Sequence, residues 1–401
     1  MRILYLTTYY LPHSSGITAY MHRVARELAQ RGHTVTVLTS RHDSALSAEE
    51  LLEGVRIVRL PVLFRVSKGP VMPAFFGVLG AYLQEHDVIH IHLPFFEAAY
   101  AAIMNRRRKP LILTVHTDLH LPAGVVNRLA SAAVNVMQRV AARHADWLCS
   151  YTWDFARHSY LLSPLLRKAL VIHPPVTVAA PTEADIAAFR LQHDLDGTLI
   201  GFAGRFAEQK GLHVLFDALA KVQCRVPHAR LVIAGDYRNV VGESYYARLR
   251  PQLDALGDRV VLLGHLEGKS LACFYAACAV LALPSTSPME SFGIVQVEAM
   301  LCGTPVVASD LPGCRQPVRL TGMGRIVPPG DSDALAAALL AVLEDPGRYT
   351  QSPHEIAHVF DYERTIDLHE ELYRTNRVVE DDRKFEPPAA SQGSRQELQV
   401  E

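Results

Sequence analysis

The chain has almost no net charge and few features that would connect it with nucleic acid. Its 40 lysines and arginines against 41 aspartates and glutamates leave a formal charge of −1. A nucleic-acid-binding domain would carry a clear basic excess. The four basic residues at 106–109 are more typical of an exposed helix end before a strand, with an anionic membrane surface as the alternative. No nucleic-acid partner is therefore expected.

Disulfides and membrane-spanning segments are also not indicated. The six cysteines contain no Cys-x-x-Cys pair and are too sparse for a secreted disulfide scaffold, which predicts reduced thiols. The first residues read as a buried strand and lack the small-residue cleavage site of a signal peptide. The uncharged stretch 270–289 is interrupted by Pro284 and fits a short helix followed by a strand. The expected location is the cytoplasm, or the cytoplasmic face of a membrane.

Apolar strand-like runs alternate with amphipathic helices along most of the chain. A length of 401 residues with 49% hydrophobic content predicts two or three domains with ample cores. A helix is predicted at 18–31, closed by Gly32. The alternation predicts an α/β protein with two Rossmann-like halves joined by the proline-rich segment 173–181. The predicted strands are 3–7, 35–39, 55–60, 88–92, 111–115 and 147–150 in the first half, and 199–203, 231–234, 260–263, 280–283, 305–308 and 324–327 in the second.

Three loops are expected to line a ligand site. Open parallel sheets bind ligands beyond the carboxyl ends of their strands, and two such sheets joined by a hinge would face each other across a cleft. The loops are 12–16 before the first helix, 204–211 after the first strand of the second half, and 290–298. The cleft is therefore the predicted site.

The segment 290–298 has two glutamates eight positions apart at the start of a predicted helix. If the helix begins near Phe292 or Gly293, its unpaired amides and positive dipole end would face an anion, and Gly293 would allow a phosphate close to the backbone. Glu298 lies in the apolar run 294–301, where a buried carboxylate needs a partner. A ribose diol is one candidate, so the segment predicts a sugar-nucleotide site.

The loop 204–211 has the pattern Gly-Arg-x4-Lys-Gly. Arg205 offers a planar fork of donors and Lys210 a mobile point charge, so both can bind one diphosphate. Alone, this pattern is also compatible with an ordinary turn whose charges are solvated. Its combination with the glutamate segment in the same half favours a donor-phosphate site.

Two other kinds of site are weighed against this interpretation. A glycoside hydrolase needs both carboxyl groups beside one bond, whereas a helix would carry Glu298 about two turns away from Glu290. The triplet 331–333, Asp-Ser-Asp, resembles a metal-binding acidic motif, but it follows Pro-Gly and precedes an alanine-rich run, so it is better explained as a helix N-cap.

Histidine pairs raise the question of a zinc site. His90-x-His92 and His116-x3-His120 each follow or end a strand, but such pairs are expected by chance among 19 histidines. No metal is predicted.

With these motifs, the chain resembles a retaining glycosyltransferase of family 4 over residues 1 to about 376. The Glu-x7-Glu and Gly-Arg-x4-Lys-Gly motifs are highly specific in combination. The matching residues are Pro12 with Gly16, the segment 31–39, His116, Gly204-Arg205 with Lys210-Gly211, 234–236, Gly264, Pro284-Ser285, Glu290 with Phe292-Gly293, Glu298-Ala299, 303–309 and 329–331.

The resemblance implies the GT-B fold, with two Rossmann-like domains facing across a cleft. The implied boundaries are an acceptor-side domain at 1–175, a nucleotide-sugar-binding domain at 176–359, a helix at 360–376 that crosses back onto the first domain, and a tail at 377–401 that is expected to be disordered.

The resemblance also implies roles for individual residues. Arg205, Lys210 and the amides near Gly293 and Ile294 would hold the donor diphosphate, which Gly16 would cap from the other domain. Further implied contacts are Glu298 with the ribose, the backbone around Leu266 with the base, Glu290 and Phe292 near the donor sugar, His116 across from Glu290, and Asp118 on the acceptor side. The implied catalytic residues are Glu290, His116, Arg205 and Lys210.

The expected activity is metal-independent, retaining transfer of a hexose from a nucleotide-sugar donor, UDP-linked first and GDP-linked next. The implied acceptor is a hydroxyl on a lipid or glycan. The segment 64–79 mixes basic and large apolar residues, which fits either bilayer docking or a buried helix with a loop. Two alternatives stay open: an epimerase of the same fold, and a catalytically silent sugar-nucleotide-binding protein.

Overall fold

The computed structural model describes residues 1–13, 15–66, 69–105, 108–119, 124–237 and 245–377. Five predictions fall at least partly outside them: residue 14 of the loop 12–16, residues 67 and 68 of the segment 64–79, part of the basic run at 106–109, the residue His120, and all but the first residue of the tail at 377–401. The described chain forms two compact units. The first unit contains Met1–Val176, Pro288–Ile294 and residues 360–377, and the second contains Thr177–Ser287 and Val295–Val359, counting only the residues that the structure describes.

The first unit is built on a sheet whose strands are mostly parallel. Its interior strands are near-continuous runs of buried apolar residues, as expected when helices cover both faces. The strands are β1 (Arg2–Leu6), β2 (Thr34–Arg41), β3 (Glu49–Leu52), β4 (Val55–Pro61), β5 (Phe64–Val66), β6 (Gly69–Val71), β7 (Val88–Leu93), β8 (Leu111–Val115), β9 (Trp147–Ser150) and β10 (Ala169–Val171). Their order is β10-β9-β8-β7-β1-β2-β4-β3, with β3 antiparallel, while β5 and β6 form a separate hairpin.

The second unit has a parallel sheet with the order β13-β12-β11-β14-β15-β16. The order turns back between β11 and β14, which is the kind of switch point beside which open α/β sheets bind ligands. Its strands are β11 (Thr198–Ala203), β12 (Ala229–Ala234), β13 (Val260–Gly264), β14 (Val280–Leu283), β15 (Val306–Ser309) and β16 (Gly324–Val327).

Helices cover the sheets, and their ends follow local sequence signals. Ser15 and Thr18 form a reciprocal capping box at the first helix, and Gly32, with φ of 87°, follows its end. The helices are α1 (Gly16–Gln30), α2 (Ala74–Glu85), α3 (Ala98–Met104), α4 (Val125–His144), α5 (Trp153–His158), α6 (Glu183–Gln192), α7 (Leu212–Gln223), α8 (Tyr245–Leu256), α9 (Gly268–Ala277), α10 (Ile294–Leu301), α11 (Gln316–Thr321), α12 (Ser332–Glu344), α13 (Pro353–Val359) and α14 (Tyr362–Thr375).

The last helix belongs to the first unit. The hydroxyls of Tyr5 and Tyr373 are 3.1 Å apart, and Arg31 at the end of α1 binds carboxylates of α14 at Asp367 and Glu370. The predicted return of the C-terminal helix to the first domain is confirmed.

Two expectations about particular segments can be checked directly. Asp331 caps α12, because its carboxylate accepts hydrogen bonds from the amides of Asp333 and Ala334. Among the described residues, no helix combines the length and the apolar character that crossing a bilayer requires.

Candidate active site

The loop after β8 carries two of the predicted site residues, His116 and Asp118. β8 lies inside the sheet of the first unit, between β7 and β9, so this loop leaves from the sheet edge where ligands bind in such folds. His116, Thr117 and Asp118 are all buried. The loop is therefore an internal part of the unit and not a surface turn.

Both ring nitrogens of His116 have partners. Nδ1 is hydrogen-bonded to the hydroxyl of Tyr151, and Nε2 lies 3.1 Å from Nδ1 of His92. Burial away from water, which disfavours the charged imidazolium, lowers the pKa of His116 to about 3. The ring is neutral near pH 7 and fixed in orientation. The two hydrogen bonds explain how the ring is held, and its contact with substrate stays a prediction.

The segment Pro288–Ile294 is hydrogen-bonded to the loop after β8. Thr117 Oγ1 donates to the carbonyl of Met289 at 3.0 Å, and Ser291 Oγ donates to the carbonyl of His116. Glu290 is half-buried and lies between these two anchored residues. The structure thus brings the segment of Glu290 against the loop of His116.

Phe292 fixes the other end of this segment. Its buried ring lies 5.8 Å from that of Tyr151, 6.1 Å from that of His173 and 5.8 Å from that of Phe360. Tyr151 consequently touches both His116 and Phe292. It links the loop after β8 to the segment that carries Glu290.

Asp118 is held by a turn of its own unit. Its carboxylate accepts a hydrogen bond from Ser159 Oγ at 2.7 Å and another from the amide of Tyr160 at 3.0 Å. These bonds tie the loop after β8 to the chain that follows α5. The position is compatible with the predicted acceptor side, and the two bonds also provide a structural reason for a carboxylate here.

Gly16 is the first residue of α1 and is exposed. The preceding Ser15 has an extended backbone, and its hydroxyl accepts from the amide of Thr18 at 3.2 Å. Serine therefore acts as the helix cap in this loop.

In the second unit, the loop with Arg205 and Lys210 depends on close backbone packing. Gly211 has φ of 69°, and an added Cβ there would collide with the carbonyl oxygen of Pro284. The amide of Thr286 also donates to the carbonyl of Gln209 at 2.9 Å. The loop after β11 is thus joined to the loop after β14, on the two strands that flank the switch in strand order.

Arg205 and Lys210 are both half-buried. A Cβ added to Gly204 would lie 3.9 Å from Cε of Lys210, so the lysine side chain folds back over the start of the loop. Two cations at the carboxyl end of a parallel sheet are an arrangement that can bind a diphosphate.

The entrance of α10 has the predicted glycine but begins one residue later than the sequence suggested. Gly293 has φ of 75°, and the helix begins at Ile294. Glu298 is 7% exposed and accepts a hydrogen bond from Tyr275 Oη at 2.9 Å. Tyr275 is thus one partner for the buried carboxylate. Leu266, half-buried between β13 and α9, lies in the loop where base contact is predicted.

A buried group of histidines and tyrosines was not recognised from the sequence. The rings of His90 and His92 stack at 4.1 Å, His90 Nδ1 bonds Tyr373 Oη at 2.5 Å, and Tyr20 Oη bonds His369 Nε2 at 2.7 Å. The spacing of His90 and His92 on one face of β7 was the available signal. Among the described residues, no group of three or more histidines, cysteines or acidic residues is arranged to hold a metal ion.

A second unrecognised group lies on the loops after β1 and β2. The rings of Tyr9 and His13 stack at 4.6 Å, and His42 stands edge-on to each ring at 5.6 Å. Arg65 of β5 donates to the carbonyl of His42. Aromatic faces beside an arginine form a surface suited to a ring that carries a phosphate.

Two family descriptions match the two halves of the chain. "Glycosyl transferase 4-like domain" matches residues 15–174, and "Glycosyl transferases group 1" matches residues 184–358.

Curated relatives are similar over most of their length. The phosphatidyl-myo-inositol mannosyltransferase of Mycobacterium tuberculosis is 30% identical over 363 residues, which cover 86% of this chain and 88% of the relative. The enzyme of the same name from Mycolicibacterium smegmatis is 28% identical, with 90% of each chain covered. The D-inositol 3-phosphate glycosyltransferase of Xylanimonas cellulosilytica is 32% identical, with 84% of this chain and 85% of the relative covered.

Solved structures share the fold at lower identity. Anabaena HepE in complex with UDP and glucose has a TM-score of 0.75 at 22% identity, covering 94% of this chain and all of HepE. The lipopolysaccharide glycosyltransferase WaaG has a TM-score of 0.69 at 16% identity, covering 93% and 100%. From its family matches, relatives and two α/β units, the chain belongs to the family 4 type of glycosyltransferases and has the GT-B fold.

Proposed function

We propose that the protein transfers a hexose from a nucleotide-sugar donor to a hydroxyl of an inositol-containing acceptor, with retention of configuration and without a metal ion. The observation that carries this proposal is the pair of hydrogen bonds joining Met289 and Ser291 to the loop after β8. They hold the backbone on both sides of Glu290. A carboxylate fixed in this way before substrate binds is preorganised for a reacting centre.

The second unit would bind the nucleotide. Arg205 and Lys210 would hold the diphosphate, because both cations lie on a loop whose backbone is tied to that after β14. Glu298 would accept the ribose hydroxyls with the oxygen capacity that remains beside its bond from Tyr275. A UDP-sugar is the first candidate donor and a GDP-sugar the second. The further proposed donor contacts are Gly16, the backbone of Leu266, Phe292 and the amides of Gly293 and Ile294.

The chemistry needs stabilisation of the leaving group above all. Glycosyl transfer passes through an oxocarbenium-like state while negative charge builds on the departing diphosphate, so preorganised cations and amides lower the barrier. Glu290 would lie beside the donor sugar and His116 would lie across from it, with the backbone carbonyl of His116 anchoring Ser291. We assign no covalent nucleophile: the acceptor hydroxyl would attack on the face that the diphosphate leaves, with the leaving phosphate taking its proton.

The names of the relatives support an inositol-containing acceptor. Their names specify phosphatidyl-myo-inositol and D-inositol 3-phosphate, which share an inositol ring that carries a phosphate. Arg65 with the rings of Tyr9, His13 and His42 would bind such a group in the first unit. Asp118 lies in the loop after β8, where an acceptor hydroxyl is proposed to approach. A phosphatidyl acceptor would place the reaction at a membrane, and we propose its cytoplasmic face, consistent with six cysteines that are all free thiols.

Calorimetric titration of UDP-, GDP- and ADP-sugars in EDTA tests the donor part of this proposal. Wild-type protein should bind one nucleotide class tightly, and the Arg205→Ala/Lys210→Ala variant should lose that binding. The variant Arg225→Ala/Arg348→Ala removes two exposed cations of the same unit and serves as the control. Binding to no donor would overturn the proposed donor site, and strict dependence of the reaction on added Mn²⁺ would contradict the proposed metal-free mechanism.

Product analysis then separates the remaining functions. Radiolabelled sugar should move from the donor to phosphatidylinositol or to inositol 3-phosphate. An epimerase would convert one sugar nucleotide into another without labelling an acceptor. A silent binding protein would bind the donor and change nothing.

A further inference from the structure

Three hydrogen-bonded side chains connect the turn between β3 and β4, by way of α1, with the loop after β1. Glu53 Oε2 lies 2.6 Å from Nε2 of His22, and Nδ1 of the same ring lies 2.9 Å from the hydroxyl of Tyr10. The side chain of Glu53 is 49% exposed and that of His22 is 11% exposed, while Tyr10 is fully buried. The contacts therefore lead from solvent into the first unit. None of the three residues is among the proposed donor or acceptor contacts.

A direction follows for each of these hydrogen bonds. The bond from His22 holds the pKa of Glu53 below its usual range, so Glu53 is an ionised carboxylate that can only accept. The proton of that bond is consequently on Nε2 of His22. In a neutral imidazole the other nitrogen accepts, so Nδ1 receives the hydroxyl proton of Tyr10. Glu53 thereby selects the tautomer of His22 that can bind Tyr10.

The backbone of Glu53 has an uncommon conformation for its residue type. Leu52 and Val55 pair across the antiparallel strands, so Glu53 and Gly54 form a two-residue turn, with φ of 47° and 83°. Such turns favour glycine, asparagine and aspartate, because both φ angles are positive. A glutamate in this conformation is strained, and strain of this kind persists where the surroundings require it. The contact of its carboxylate with His22 is such a requirement.

Tyr10 holds the loop that carries two rings of the proposed acceptor surface. The adjacent Tyr9 stacks on His13 at 4.6 Å, and the amide of His13 donates to the carbonyl of Tyr10 at 3.1 Å. Tyr9 and His13 are half-buried, whereas Tyr10 is buried, so its side chain anchors the loop from inside the unit. A displacement of Tyr10 would move both stacked rings.

The same loop has further anchors that do not involve the Tyr10 side chain. Arg59 is 3% exposed, and its guanidinium donates to the carbonyl of Leu11 at 2.9 Å and to Glu50 at 2.6 Å. Thr18 Oγ1 donates to the carbonyl of His13 at 2.6 Å. Loss of the Tyr10 hydrogen bond should therefore loosen the loop without unfolding it.

We propose that Glu53 and His22 are positioning residues for acceptor binding, and that both act through the hydroxyl of Tyr10. Through it they would hold the stacked rings of Tyr9 and His13. The inference rests on the proposed function, because these rings belong to the surface proposed to bind an inositol phosphate. An ordered aromatic surface binds a ligand more tightly, since less side-chain and loop entropy is lost on binding.

A double-mutant cycle with Tyr10→Phe and Glu53→Asn tests this route on the full-length protein. The probe is D-inositol 3-phosphate, and calorimetry gives its Kd. Tyr10→Phe should raise the Kd about fivefold, the effect of one lost hydrogen bond. Glu53→Asn should raise it at least about threefold, because the shorter side chain cannot keep the contact with His22. The double variant should bind like Tyr10→Phe alone, since Glu53 has no route to the loop once the hydroxyl is absent.

Glu53→Asn also distinguishes positioning from stability. Asparagine suits this turn better than glutamate, so the thermal unfolding transition should stay or rise while acceptor binding weakens. In steady-state assays the KM for the acceptor should rise, with kcat and the KM for the donor unchanged. A lower unfolding transition together with weaker donor binding would overturn the inference, because Glu53 would then serve the fold as a whole.

Two controls match these substitutions. Glu49→Gln removes an exposed carboxylate of the same hairpin that pairs with Arg56. Tyr349→Phe removes the hydroxyl of a buried tyrosine in the second unit. Both controls should bind the probe like the wild type.

Hydrogen exchange in the protein without ligand gives a second, independent result. Amides of the loop 9–13 should exchange at least about threefold faster in Tyr10→Phe and in Glu53→Asn, and no faster in the double variant than in Tyr10→Phe. Failure of the wild type to bind the probe would refute the proposed acceptor, and loop exchange would still decide whether Glu53 holds the loop. Unchanged loop exchange in Glu53→Asn, or effects of the two substitutions that multiply in the double variant, would overturn the inference.

Discussion

Arg205 and Lys210 illustrate how single residues depend on the backbone that presents them. Both are half-buried cations on a short loop, and the loop is held by a glycine that packs against the carbonyl of Pro284. A mobile lysine gains affinity for an anion when its backbone is already ordered, because less entropy is lost on binding. The two cations and Gly211 therefore contribute together to anion binding.

Replacing either cation should reduce turnover strongly. Arg205→Ala and Lys210→Ala each remove a group that stabilises the developing charge on the leaving diphosphate, so kcat should fall on the order of 10²- to 10³-fold. Thermal unfolding should change little, because neither residue is in the core. Steady-state rates of donor hydrolysis or transfer provide the measurement, with the exposed Arg225→Ala as the control. Unchanged turnover in both variants would refute the assignment.

Gly211→Ala should destabilise the second unit. Alanine is strained at φ of 69°, and its Cβ would collide with Pro284, so the free energy of unfolding should fall by about 2 kcal/mol or more. Gly322→Ala is a matched control, because Gly322 has φ of 68° with open space around the Cβ position. Denaturant unfolding compares the two. Equal losses would mean that backbone strain alone, and not contact with the loop after β14, requires the glycine.

Among the larger elements, the segment Pro288–Ile294 depends on hydrogen bonds from outside its own helix. Ser291 donates to His116 and Thr117 donates to Met289, so the position of Glu290 is set by the loop after β8. The rings around Phe292 fix the following turn. Weakening one anchor should therefore affect the reaction more than the fold.

Ser291→Ala tests this dependence. Loss of one hydrogen bond should lower kcat roughly tenfold, the equivalent of about 1.4 kcal/mol, while the affinity for free nucleotide stays unchanged. Ser309→Ala removes another buried serine that donates to a backbone carbonyl and should leave kcat intact. A fall in nucleotide affinity that matches the fall in kcat would contradict the proposed role of this anchor.

The sequence identified the interior strands more completely than the edges. Parallel strands such as β8 and β14 are continuous apolar runs, and their predicted and observed bounds coincide. The strands β3, β5, β6 and β10 were missed, because they are short or exposed and lack such a run.

In the candidate site too, features set by neighbouring residues could be predicted from sequence, whereas contacts between distant residues could not. The cations of the loop 204–211, which stand beside glycines, and the helix cap within 331–333 depend on neighbouring residues in the chain, so both can be predicted from sequence. The partners Tyr275 of Glu298 and Tyr151 of His116 could not be, since each contact joins residues more than twenty positions apart through tertiary packing.

At the scale of the whole molecule, the buried group of histidines and tyrosines makes the free energy of unfolding depend on pH. His116 and His369 are fully buried, and desolvation lowers the pKa of each to about 3, against about 6.5 in an unfolded chain. Between these values the unfolded state binds more protons. Their contribution to stability is therefore complete above pH 6.5 and is lost as the pH falls toward 3.

Stability should consequently fall in mild acid. At pH 5.5 the free energy of unfolding should be lower than at pH 7.5 by at least about 3 kcal/mol. His116 and His369 account for that amount, and the buried His90 and His92, whose pKa burial also lowers, act in the same direction. Denaturant titrations at both pH values measure this difference. His369→Gln should reduce the pH dependence and His228→Gln, at an exposed position, should not. An unchanged dependence in His369→Gln would exclude His369 as a contributor.

The placement of α14 has a consequence for synthesis on the ribosome. The ribosome finishes most of the first unit at Val176 and must then synthesise the second unit before it reaches α14. Only after that can Tyr373 contact Tyr5 and can α14 supply the carboxylates that bind Arg31. Translation at about 5 to 20 residues per second makes this wait last roughly 10 to 40 s. Throughout that time the nascent first unit lacks its final helix, so a ribosome stalled before Phe360 should present α1 to proteases and chaperones that cannot reach it in the finished protein.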